Sequence, residues 1–106
     1  MPNTWGIEIA IQNGKISFRP DLPNAPIGQP LGVHRNDLVV WINRTDLTLA
    51  LESIDPPGLF LTNPIPPGEG SRPFFVVTIP SITYTSRNSV HVPSQAHKIV
   101  MEPMIA

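Results

Sequence analysis

Trp5, Ile7, Ile9 and Ile11 alternate with Gly6, Glu8 and Ala10. A period of two puts successive side chains on opposite faces, so this stretch predicts a half-buried β-strand. Gln12-Asn13-Gly14-Lys15 follows. Asn-Gly tolerates positive φ at both centres of a tight hairpin, which predicts a return strand at Ile16-Ser17-Phe18. Asp37 to Asn43 reads as another strand. Leu47, Leu49 and Leu51, alternating with Thr48, Ala50 and Glu52, predict the next. Pro73 to Ile79, Ile82 to Arg87 and His97 to Met101 give three more. The four prolines from Pro20 to Pro30 predict an extended connection along a sheet edge. Residues 53–71 form a Pro/Gly loop with one apolar island, Leu59-Phe60-Leu61.

Fourteen prolines and seven glycines leave no room for long helices. The expectation is therefore an all-β sandwich of seven or eight strands in a single domain spanning residues 1–106. Its predicted core draws on Trp5, Ile7, Phe18, Val40, Leu49, Phe75, Val77, Ile82 and Tyr84. Hydrophobic residues make up 41% of the chain, enough for such a core.

Charge narrows the function classes. Charged residues are only 14% of the chain, and seven Lys+Arg against eight Asp+Glu leave a net −1. No basic patch exists to displace counterions from nucleic acid. No polybasic run suits an anionic membrane, and no apolar run approaches the ~18 residues of a membrane span. Cysteine is absent, so neither a disulfide nor thiolate chemistry is available. Met1 to Gly6 lacks the charged and apolar regions of a secretory signal. The expected location is cytoplasmic as the chain stands, or periplasmic or secreted if a leader has been removed.

Val39-Val40-Trp41-Ile42-Asn43 through Leu49, and Ile82-Thr83-Tyr84-Thr85-Ser86, resemble two signature stretches of the cupredoxins, the blue-copper proteins. Asn36-Asp37 stands where a Gly-Asp commonly opens the third strand of that family. Phe60, Thr62, Ile65 and Pro67-Gly68-Glu69 resemble the approach to a later strand. The resemblance covers nearly the whole chain and implies a Greek-key sandwich of plastocyanin/azurin-like order. It also implies where copper ligands would stand. The first histidine position reads Leu49, and the cysteine position reads Ser86. His91 matches the second histidine, and Gln95 falls at the axial position. A blue-copper centre needs a thiolate with two imidazoles, so the expected chain is a degenerate member with no metal and no cofactor.

Other chemistry fares no better. His91 could join His97 or His34 in a rebuilt copper or zinc site, the alternative reading. However, His91 and His97 lie six apart across Pro93, a spacing unlike common zinc pairs. Ser86 lacks the Gly-x-Ser-x-Gly context of a nucleophile, and Glu52, Asp55 and Glu69 form no catalytic pair. No enzyme activity is expected. Asn43-Arg44-Thr45 matches a glycosylation sequon, but an Asn ending a strand and bonding its own turn is the simpler reading. No glycine-rich phosphate loop is present.

The expected role is a binding or protein-interaction module, engaging a protein partner or forming a homo-oligomer. Leu59, Phe60 and Val92 are its candidate surface, gathered at the former metal end of the sandwich. The opposing expectation is that Leu59 and Phe60 simply plug that end. An immunoglobulin-like sandwich is the alternative fold, and it would assemble no cluster at Leu49, Ser86 and His91.

Overall fold

The computed structural model describes residues 3–76 and 80–102. Eight strands run through them: β1 (Thr4–Gln12), β2 (Lys15–Pro20), β3 (Leu31–Val33), β4 (Leu38–Asn43), β5 (Ala50–Asp55), β6 (Phe74–Phe75), β7 (Ser81–Arg87) and β8 (His97–Met101). They form two four-stranded sheets, ordered β2-β1-β4-β6 and β3-β8-β7-β5. The expected all-β sandwich of seven or eight strands is what this chain builds.

Local chemistry explains the turns. Asn13 and Gly14 both take positive φ, 52° and 77°, and close the β1–β2 hairpin with Gln12 opposite Lys15. That geometry matches the right-handed twist of the paired strands. β4 then pairs with β1 in parallel, which requires a long crossover. The proline-rich segment supplies it by leaving the first sheet, contributing β3 to the second, and returning.

Asn36 adopts φ 72°, a left-handed conformation that Asn tolerates better than most side-chain-bearing residues. It turns the chain into Asp37, which is 2% exposed. The Asp37 carboxylate accepts from Asn3 N–H at 2.9 Å, Trp5 Nε1–H at 2.7 Å and His34 N–H at 2.9 Å. One buried acid thus fastens the start of β1 to the β3–β4 connection. Desolvation pushes its pKa up, but these three donors and the His34 charge outweigh that and hold it below its ordinary value.

Ile7, Ile9, Ile16, Phe18, Leu31, Val39, Trp41, Leu49, Ile82, Tyr84 and Ile99 are all buried. Three expected core positions differ. In β4 the buried row is Val39, Trp41 and Asn43, and Val40 faces the half-covered side. A strand apolar on both faces carries no phase in its pattern; pairing with β1, Ile7 opposite Trp41, sets it. Phe74 is buried and Phe75 is 51% exposed, because β6 contributes only two residues against Leu38 and Val39. Trp5 is half-buried, with its indole N–H committed to Asp37. Val77 lies outside the described residues, as does the end of the strand expected over 73–79.

β3 was not anticipated. It pairs in parallel with β8, Leu31 opposite Ile99, so a strand forms inside what reads as a proline-rich connection. β5 begins at Ala50, and Leu49 instead makes an isolated bridge to Ile65, with N···O distances of 3.1 and 2.8 Å. Asn43 is fully buried at the end of β4. Its amide Nδ2–H group donates to the carbonyls of Leu47, Ile65 and Pro66, while Oδ1 accepts from Thr45 N–H and Oγ1–H. A side chain so placed ties two loops together and is unavailable to a glycosylating enzyme.

Candidate functional site

Two polar features occupy the interior face of β7, where Ile82, Tyr84 and Ser86 alternate inward. The first lies at the centre of the sandwich. Trp41 Nε1–H donates to Tyr84 Oη at 2.8 Å, Tyr84 Oη lies 2.6 Å from His97 Nδ1, and His97 Nε2 lies 2.7 Å from the Gln29 carbonyl. A carbonyl only accepts, so Nε2 carries the ring proton and Nδ1 receives the Tyr84 hydroxyl. Every donor points the same way. Burial drives the Tyr84 pKa up, against the pull of the Trp41 bond. Burial also lowers that of His97, which the Gln29 contact only partly offsets. Phe18 stacks on His97 at 5.6 Å and meets Tyr84 edge-on at 5.0 Å. The group is closed and fully paired.

The second feature is an open groove of about 650 Å³ at the Arg87 end of β7. Thr48, Ala50 and Pro64 line it together with Ser86, Arg87, Asn88, Ser89 and the run from His91 to Ser94. That loop is rigid for a reason visible in its residues. Asn88 Nδ2–H donates to the Val92 carbonyl at 3.0 Å and Asn88 Oδ1 accepts Val92 N–H at 3.0 Å. Both ends of one amide therefore close the turn, and His91 takes φ 57° within it. Arg87, also part of the lining, pairs through Nε with Glu52 at 3.2 Å in an exposed ion pair.

Ser86 is 5% exposed, and its hydroxyl has no hydrogen-bond partner. The nearest candidate is already used. Ser94 Oγ accepts Ser86 N–H at 3.2 Å and donates to the Gln95 carbonyl at 2.9 Å. A buried polar group without a partner is uncommon and costs about 1–3 kcal/mol.

The four positions marked by the resemblance are only partly brought together. Ser86 and His91 line the groove together. Leu49 is buried between the groove-lining Thr48 and Ala50. Because Leu51 is the register partner of Ser86, Leu49 stands on the diagonal, at roughly the 7–8 Å usual for such neighbours. Gln95 does not line the groove; it is exposed and its N–H donates to the Ile16 carbonyl at 2.9 Å.

Leu59, Phe60 and Val92 differ in their relation to the groove. Val92 lines the groove and the other two do not. Between Ala50, opposite Arg87, and Asp55, opposite Thr83, β5 carries the chain away before the Leu59 loop begins. Leu59 packs partly against the core, whereas Phe60 is 70% exposed. The plug and the exposed contact are thus two adjacent residues.

His97, considered from the sequence as a partner for His91, is buried with both nitrogens committed. His34 sits beside Asp37, its Nδ1 3.9 Å from the carboxylate. Among the described residues no three His, Cys, Asp or Glu side chains come together as a metal group. No described helix is long and apolar enough to cross a membrane.

No protein-family model and no curated protein matches this chain. Its fold does match solved structures. A variant of the multicopper oxidase McoA from the hyperthermophile Aquifex aeolicus superposes with a TM-score of 0.59 at 11% identity, over 94% of this chain. McoA itself gives 0.58 at 10% identity over 93%. The fold is cupredoxin-like. This chain spans 26% of the oxidase's length, and identity this low carries architecture alone.

Proposed function

We propose that this domain is a non-enzymatic binding module, a cupredoxin-like frame that engages a protein partner at the end where the family would hold copper. The observation that supports it is the groove: a cleft walled by Ala50, Pro64, Val92 and Pro93, of a size typical for ligand sites. Among the described residues no Asp, Glu or Lys lines it, and its one Arg, Arg87, is paired with Glu52. Electron transfer through a copper–thiolate centre is chemically closed to a chain without cysteine.

A protein occupant suits the surroundings. Val90, at the tip of the groove loop, is 60% exposed, and Phe60 is 70% exposed. Phe60 lies four residues from the groove-lining Pro64, so at most about 14 Å of chain separates them. One standard interface of about 800 Å² per partner covers both. The surface is poor in charge, as interface centres are.

The test compares capture by the wild-type domain with capture by Ala50→Arg, which fills the groove mouth, and by Phe60→Ser. One protein retained by wild type, lost by both variants, and binding stoichiometrically once purified supports the reading. Capture indifferent to both substitutions overturns it.

A further inference from the structure

We infer that the element entering the groove is an uncharged apolar side chain accompanied by one peptide group, which hydrogen-bonds Ser86 Oγ. This deepens the binding-module reading and rests on it. Among the described residues, Ser86 is the one groove-lining side chain whose buried polar atom has no partner. Ser86 Oγ is unpaired and buried, while the Ser94 hydroxyl and both ends of the Asn88 amide are already engaged.

A cationic group entering here would lose its hydration and find no counter-charge, because among the described residues no acidic side chain lines the cleft. An anionic group would meet Arg87, which lines the cleft but is already paired with Glu52 at 3.2 Å. Desolvating an unpaired charge costs far more than desolvating an amide that finds a partner. The walls, from Pro64, Val92 and Pro93, instead favour an aliphatic body. Ser86 lines the cleft while its Oγ is covered in the free domain, so the contact requires the hydroxyl to turn about Cα–Cβ to another staggered position. A hydroxyl both donates and accepts, which suits either atom of a peptide group.

Small mimics test this without any partner. N-acetyl-leucine N-methylamide and N-acetyl-lysine N-methylamide are titrated against the ¹⁵N-labelled domain, following the backbone amides of Ser86, Val92 and Ser94. Ligands of this size saturate weak sites at about millimolar concentration. The leucine compound is expected to shift those amides saturably. The lysine compound should bind about tenfold or more weakly, and Ser86→Ala should weaken the leucine compound about tenfold. Ala50→Trp, which fills the groove, should abolish the shifts; unchanged resonances elsewhere in each variant's spectrum establish that it is folded.

No saturable shift at the groove, equal binding of both compounds, or indifference to Ser86→Ala each overturns the inference. The binding-module reading has its own readout. Partner capture lost in Ala50→Arg and Phe60→Ser would leave it standing even if the leucine mimic failed.

Discussion

Tyr84 and Ser86 stand two residues apart on the same face of β7, both buried, both carrying a hydroxyl. Tyr84 Oη has a donor on one side and an acceptor on the other. Ser86 Oγ has neither. The difference follows from what faces them across the sandwich. Opposite Tyr84 the first sheet supplies Trp41 and Phe18. Beside Ser86, by contrast, lies the open groove. One strand therefore serves a closed, fully satisfied interior and an end left open, and stability and binding should divide along it.

The largest effect should come from the closed side. Tyr84→Phe keeps the ring packing but strips the partner from both Trp41 Nε1–H and His97 Nδ1. At about 1–3 kcal/mol for each of the two buried orphans, the loss should be roughly 2–6 kcal/mol in urea unfolding. A loss below about 0.5 kcal/mol, typical of an ordinary surface change, would erase the contrast.

Acid should act on the same side. The folded-state pKa of His97 is depressed below its ordinary 6.5, so between the two values the unfolded chain binds more protons. Stability is then flat above about 6.5, falls as the pH drops below it, and levels off beneath the folded pKa, with a slope of at most about 1.4 kcal/mol per pH unit. Protonation places a proton on Nδ1, and the Tyr84 hydroxyl proton then loses its acceptor. Asp37, also depressed, adds a loss of the same sign, beginning as the pH falls below about 3.8. Urea midpoints measured from about pH 7 to about pH 5, with the His97 ring followed by NMR, check the first window. A flat midpoint with His97 titrating normally would contradict the buried assignment.

On the open side the sign reverses. Ser86→Ala removes an unpaired hydroxyl, so stability should stay level or rise by up to about 1 kcal/mol. A loss of more than about 1 kcal/mol would show that Ser86 Oγ has a partner in solution and that the two ends do not differ.

Much of the frame was legible because its signals are local. Asn13-Gly14 fixes a hairpin through its own φ preferences, and Asn43 followed by Arg44-Thr45 terminates a strand through its own side chain. The rest depends on distant pairing. β3 exists because Leu31 meets Ile99 in the second sheet, and nothing within its three residues says so. The phase of β4 is set by β1. His97 stood in the sequence only as a possible companion of His91, with the spacing against a metal pair; its true partners, Tyr84 and Gln29, lie 13 and 68 residues away. In the groove, Ser86 and His91 come together because β7 leads directly into an Asn-clamped loop. Gln95 falls outside it because its backbone is bonded to Ile16 in β2.

The smallest stability effect should come from Phe60, and it defines how far the open side extends. With 70% of its surface exposed, its side chain has little packing to lose, so Phe60→Ala should cost only about 0.5 kcal/mol. Had the ring plugged the sandwich, the same truncation would cost about 3–5 kcal/mol. Leu59, partly packed on the core, is the internal comparison and should cost more than Phe60. The decisive measurement pairs the unfolding midpoint with sedimentation of the domain, alone and with its captured partner. Unchanged stability with weakened association places Phe60 on the binding surface that begins at Val92. Unchanged stability with unchanged association confines that surface to the groove, and Phe60 becomes one of the isolated exposed apolar residues that folded domains commonly carry.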